Sequence, residues 1–589
     1  MRLPPVLSPG LAPLLPALCL LGCASLSLHP ASSDSATQHV YPCDLVSPAP
    51  VELIQAELQH AARLAAAGDE RCVDAYYAAC RLAWPGLRDQ ADQQSIQLRE
   101  AYNTSLSKLL FAASHYDRLN PQGDLTICDG DQQRTIPTLR HGFAWSPADF
   151  QRFTPPPTRR EPLLQRRYGW PGVGVPLVIE RRRVADDPLE ARFYPETSQF
   201  AVTAVLRFSS ASATETTSAV DTAVSDLPIL EFWNPLLYRT LPIQTETLPL
   251  AADLSAPLAL RLEDSPRSYL AGFISPGTSA TTARLTFFEP YRPGKVPLVA
   301  IHGLFSDPQS WVDLLNDLRT APHFNQRYQI WMFRYPTGQG FLQSAAVLRA
   351  ELAAAVSALD PGHNDPALRR IVLMGHSMGG LIAKLQITHS EDLVWERLAN
   401  RPLDQIITTE STRALLAQLC YFDPSPHVAR VIFIASPHGG ALRASSLFGS
   451  GAALLVELPP EQQVMHNQLI GDNPGTFNPV VERRFPTSID MLMQKSPLLE
   501  AMRHMRLAPG VPLHNIVGVS HPLSLDGPSD GVVSVQSAYH PGCDSERAIP
   551  APHAQVHRSL ETSTEILRIL ERHTNCAPST TSPQLTTDH

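Results

Sequence analysis

The chain has 589 residues, of which 43% are apolar and 17% charged, with a net charge of −9 and a pI near 6.2. That length is too great for one ordinary core, so two or three domains are expected. The acidic balance, without a long basic run, excludes nucleic acid as a partner class. Fifty-five prolines against 31 glycines predict many rigid connections.

The N-terminus carries one positive charge, Arg2, ahead of a short apolar run from Leu11 to Leu21, interrupted by Pro13 and Pro16. The run is too short to span a bilayer and is expected to be an export signal, 1–22. It ends in Leu20-Leu21-Gly22-Cys23-Ala24-Ser25, which resembles a bacterial lipobox. That resemblance implies cleavage before Cys23, acylation of its thiol, and a membrane-anchored lipoprotein of the bacterial cell envelope. Simple secretion with cleavage near Ala24 is the alternative. No later segment is expected to span a membrane. Seven further cysteines, Cys43, Cys72, Cys80, Cys128, Cys420, Cys543 and Cys576, are scattered without metal-ligand spacing, and their odd number leaves at least one unpaired.

After a spacer (23–48), apolar residues recur at three- and four-residue steps, predicting a helical module over 49–122. Its helices run from Val51, from Cys72 to Trp84 and from Leu98 to Tyr116; the module is a candidate surface for a protein partner. A β-rich extension is expected over 123–291. Phe200–Phe208, Leu258–Leu262 and Ala283–Phe288 read as its strands.

From 292 to 575 apolar strands alternate with helices, the pattern of a mostly parallel sheet covered on both faces. Strands are expected at Val296–Ile301, Tyr328–Arg334, Arg370–Gly375, Val428–Ser436, Leu513–Val519 and near Glu546–Ala551. Helices are expected at Gln309–Arg319, Phe341–Leu359 and Leu560–Leu570. Insertions interrupt the series at 389–426 and 441–510. The second contains Leu447-Phe448, Ala452–Val456 and Met491–Met493, enough apolar surface for a lid, an acyl pocket or core packing. A Ser/Thr/Pro-rich tail follows at 576–589.

One strand ends in Gly375-His376-Ser377-Met378-Gly379 and a helix-compatible run follows at once. A serine on a sharp strand-to-helix turn is exposed for attack, and the helix N-terminus supplies N–H groups where an oxyanion develops. Its hydroxyl needs a base, and the base needs an acid to orient it. Asp530, in Ser529-Asp530-Gly531, follows the next-to-last strand and is the candidate acid; Asp526 competes. His553, just after the last strand, is the candidate base, and His557 is the alternative, free to cap the terminal helix or face solvent. The N–H groups of Leu304, after His302-Gly303, and of Met378 are the candidate oxyanion donors. His438, in Ser436-Pro437-His438-Gly439-Gly440, reads as structural or pocket-lining.

Together these five motifs, over about Arg292 to His573, resemble the α/β-hydrolase superfamily, in particular its lipase- and esterase-like serine hydrolases and the GPI inositol-deacylase-like branch. The resemblance implies an α/β fold, a Ser377–His553–Asp530 triad, an ester or lipid substrate, and no metal or organic cofactor. A binding or scaffold protein on a degenerate hydrolase domain, and an acyltransferase or thioesterase with the same triad, are the other readings.

Overall fold

The computed structural model describes residues 49–88, 92–129, 132–158, 161, 164–208, 228–243, 246–263, 282–441, 460–483, 486–494, 496–521 and 527–575. All of them belong to one contiguous unit, 45–589. Cys23, Asp526, Leu447-Phe448 and Ala452–Val456 lie outside the described residues.

Three helices open the unit: α1 (Val51–Ala66), α2 (Cys72–Ala83) and α3 (Gln93–His115). Asp92 caps α3 by accepting from the Ser95 N–H, satisfying one of the donors a helix start leaves open. The module is packed onto a five-stranded sheet through polar side chains of α3. Tyr102 Oη donates to Leu206 O (2.8 Å) and accepts from Leu206 N (2.9 Å), and Asn103 bridges Gly172 O and Gly174 N. Cys72 and Cys80 share α2, and both are free thiols.

That sheet consists of β1 (Thr138–His141), β2 (Arg152–Thr154), β3 (Val175–Arg182), β4 (Thr197–Arg207) and β5 (Ile229–Trp233), in the order β1-β5-β4-β3-β2. The expected strand at Leu258–Leu262 is instead a helix, α4 (Ala256–Glu263). Asp253 Oδ1 accepts from Ser255 N and Ala256 N at its start, and Leu258 and Ala259 are buried against the following domain. Three leucines at alternate positions suit a strand, but the cap and the burial of neighbours Leu258 and Ala259 decide for a helical turn.

The second sheet holds the site. Its strands are β6 (Arg284–Phe287), β7 (Val296–Ile301), β8 (Tyr328–Arg334), β9 (Ile371–His376), β10 (Val428–Ile434), β11 (Leu513–Gly518) and β12 (Ser545–Ile549). The order is β6-β8-β7-β9-β10-β11-β12, parallel except for β6, which runs antiparallel to β8. The strand read in the extension at Ala283–Phe288 is therefore an edge of this sheet.

Successive residues of each strand feed two cores, as the two-residue period requires. Val299 and Ile301 join one core with Leu348, Leu352 and Val356 of α6 (Phe341–Leu359) and with Leu381 of α7 (Met378–Lys384). Leu298 and Ala300 join the other, with Leu314 and Leu315 of α5 (Val312–Leu318) and Ile566 and Ile569 of α8 (Leu560–Asn575). Contrary to expectation, α6 is by length (19 residues) and mean hydropathy (1.3) able to cross a membrane. Nine of its residues are buried in the described fold, so its apolarity is accounted for by core packing.

The extension reaches the site domain through a buried charge cluster. Arg166 donates to both carboxylate oxygens of Asp317 at 2.7 Å, and Arg558 donates to Asp313 at 2.8 Å, both acids lying on α5. Arg166 also donates to Arg558 O (2.9 Å). The two buried acids are thereby matched by two arginines, as burial of charge demands.

Candidate active site

Ser377 sits at the β9–α7 junction with φ 54° and ψ −122°, a backbone conformation that costs an L-residue on the order of 1–3 kcal/mol. The neighbouring strand, β10, holds it there: Ser377 N donates to Ile434 O at 2.8 Å. The turn also needs glycines beside the serine. A Cβ on Gly379 would run into the carbonyl oxygens of Ile301 and His302, and one on Gly380 into Ser436 Oγ. These side-chain-free positions let α7 leave directly across the strand ends.

Three segments converge on the serine. His553 Nε2 lies 2.9 Å from Ser377 Oγ, and His553 Nδ1 lies 2.7 Å from Asp530 Oδ2. Because an acid–imidazole hydrogen bond of this kind places the proton on Nδ1, Nε2 is left as an acceptor facing the hydroxyl. The Asp530 side chain is only 1% exposed. Its other oxygen accepts from Val532 N (2.9 Å) and Val533 N (2.7 Å), so the buried carboxylate is fully engaged. The two loops are also joined through the main chain, His553 N donating to Asp530 O at 3.0 Å.

The third segment is the loop after β7. A Cβ on Gly303 would lie 3.1 Å from Ser377 Cβ, so the main chain passes directly beside Ser377, and Leu304 follows. Met378 is the first residue of α7, where N–H groups have no intrahelical acceptor. His302 stiffens this loop. Its ring stacks on Tyr335 at 4.3 Å, and Tyr335 Oη donates to His302 O at 2.5 Å. Burial pushes His302 down to about 4, so it is a neutral structural imidazole at pH 7. Tyr335 carries no motif signature, and nothing in the sequence marks it.

His557 is not brought to the serine and does not face solvent. It is buried, with its ring 4.1 Å from that of His376 and edge-on to Trp311 at 5.2 Å. Burial first, then the Arg558 charge, pushes it down to about 3. His438 packs edge-on against Phe433 (4.6 Å) and His540 (4.9 Å), with burial holding it well below the usual histidine range. Among the described residues no cluster of His, Cys, Asp or Glu is arranged to hold a metal ion.

An apolar recess lies between the N-terminal end of α6 and the helices of the two insertions. Leu342, Trp395, Leu416, Leu469, Phe477 and Met491 are among its walls, and none of Ser377, His553 or Asp530 is. Met491, one of the apolar residues read as lid, acyl pocket or core packing, lines this recess, and its neighbour Leu492 is buried in the core.

Residues 298–535 match the model of the alpha/beta hydrolase family. Comparison with curated proteins found no match. Among solved structures, a lipase of Bacillus licheniformis is similar at 14% identity and a TM-score of 0.31, over 49% of this chain and 97% of that one. Esterase B of Lactobacillus rhamnosis is 16% identical with a TM-score of 0.27, over 50% and 81%. A carboxylesterase structure from Nitrososphaera gargenis is 11% identical with a TM-score of 0.28, over 51% and 98%. The family match and the sheet order give residues from β6 onward the α/β-hydrolase fold.

Proposed function

We propose that this α/β-hydrolase domain is a serine hydrolase that cleaves carboxylic esters through an acyl-enzyme. The observation that carries the reading is the unbroken hydrogen-bonded chain from Asp530 through His553 to Ser377, on a strained elbow. Ser377 Oγ attacks the ester carbonyl while His553 Nε2 takes its proton. Asp530, held in place by two main-chain donors, keeps the imidazole oriented and stabilises the imidazolium that forms. The N–H groups of Leu304 and Met378 receive the developing oxyanion; each such donor contributes roughly 3 kcal/mol to lowering the barrier. The imidazolium then returns its proton to the departing alcohol. Water, deprotonated by the same imidazole, releases the acid and restores Ser377.

All of these groups belong to the chain itself, and none of the steps calls on a cofactor. We further propose that the protein is exported and anchored through an acylated Cys23, on the basis of the Leu-Leu-Gly-Cys sequence at 20–23. The hydrolase reading is tested with short-chain nitrophenyl esters. Ser377→Ala is expected to lower kcat by on the order of 10⁶ while leaving the melting temperature unchanged or higher, because it removes the hydroxyl without disturbing the elbow. Undiminished turnover in that variant refutes the assignment.

A further inference from the structure

The residue before the nucleophile, His376, is buried, and its Nε2 lies 3.0 Å from the main-chain oxygen of His553. A carbonyl oxygen only accepts, so the proton of this imidazole sits on Nε2 and the hydrogen bond fixes its tautomer. The other nitrogen, Nδ1, is buried without a hydrogen-bond partner. It faces the oxyanion loop, 3.1 Å from where a Gly303 Cβ would stand. A buried acceptor left unpaired costs on the order of 1–3 kcal/mol. The ring therefore occupies a position where packing alone would favour an apolar side chain.

Its surroundings define a different use. His376 is covalently next to Ser377, borders Gly303 and holds the His553 carbonyl, so one ring connects the nucleophile, oxyanion and base segments. The His553 main chain is then held at two points, by Asp530 O through its N–H and by His376 through its C=O. The ring of His557 packs at 4.1 Å on His376 and braces it from behind.

We propose that His376 is a positioning residue whose Nε2–H fixes the main chain of His553, keeping that ring in line between Asp530 Oδ2 and Ser377 Oγ. The proposal rests on the hydrolase reading above for its kinetic consequence, and on the tautomer for a consequence independent of activity. Burial, together with the neighbouring His557 and His553, keeps His376 well below the usual histidine range, so the donor geometry persists at neutral pH.

The test compares His376→Leu, which keeps bulk and loses the donor, with His376→Gln, whose side-chain N–H reaches a similar point. The Leu variant is expected to lose roughly 10- to 100-fold in kcat, the scale of a small misalignment, with KM changed by less than about threefold. The Gln variant is expected to regain most of that loss. Equal impairment of the two, or wild-type kcat in the Leu variant, overturns the proposal. Nitrogen NMR of the wild-type histidines at pH 7 should show His376 neutral and protonated on Nε2; an Nδ1–H tautomer or an imidazolium overturns it too. An inactive wild-type protein would defeat the hydrolase reading, while the tautomer would still decide this one. The tautomer and the Gln variant likewise decide it if the Leu variant fails to fold.

Discussion

His553→Ala is expected to lower ester turnover by on the order of 10⁶, while His557→Ala lowers it far less and instead reduces stability. The two histidines are four residues apart in one short 3-10 helix, His553–Arg558, yet their surroundings differ completely. His553 bonds Ser377 on one side and Asp530 on the other, whereas His557 is packed between His376 and Trp311. Truncating a buried imidazole leaves a cavity, and the expected loss is about 2–4 kcal/mol, read by thermal unfolding. Asp530→Asn completes the series at on the order of 10⁴ in kcat, because the amide can donate to Nδ1 and stabilises the wrong tautomer. Equal kinetic losses at His553 and His557, with no change in melting temperature at His557, would contradict this division of roles.

Lowering the pH from 7.5 to 5.5 is expected to destabilise the protein substantially. Burial holds His302, His514, His540 and His573 down to about 4 and His557 to about 3, against 6.5 for an unrestrained imidazole. All five are less than a tenth exposed. Their folded-state pKa values are depressed, so above pH 6.5 both states are neutral and nothing is lost. Between 6.5 and about 4 the unfolded chain binds protons that the folded one does not, and stability falls as pH falls. Each group contributes roughly 1 kcal/mol per pH unit in that window, on the order of 5 kcal/mol for the five at pH 5.5. A decrease in melting temperature on the order of 5–10 °C follows. An unrestrained carboxyl titrates at about 4, below pH 5.5, so the interval from 7.5 to 5.5 reads mainly histidine. A melting temperature that stays level or rises from pH 7.5 to 5.5 would contradict it.

The strands around the site were legible because they are buried on both faces and so read as continuous apolar runs, as in Val296–Ile301 and Ile371–Met374. The elbow was legible for a steric reason: glycine is the residue that fits between α7 and the carbonyls of Ile301 and His302. For the partners of Ser377 the chain order favoured Asp530 and His553 and kept Asp526 and His557 as alternatives, since local sequence does not say which ring faces the serine. Leu258–Leu262 misled because five residues with alternating leucines are too few to separate the two periods, and the Asp253 cap outside that window decided. Arg284–Phe287 was legible as a strand, but its sheet depends on pairing with β8, more than 40 positions along the chain. The placement of Tyr335 and of His376 is a tertiary matter, carried by contacts with His302 and His553 that no local pattern encodes.

The central claim is that Ser377 is the nucleophile. Its most direct measurement is to label the intact protein with a fluorophosphonate and locate the adduct by peptide mass spectrometry. A single adduct on Ser377, absent from Ser377→Ala and strongly slowed in His553→Ala, is the predicted result. An adduct on another residue, or ester turnover by a protein that never labels at Ser377, would contradict it.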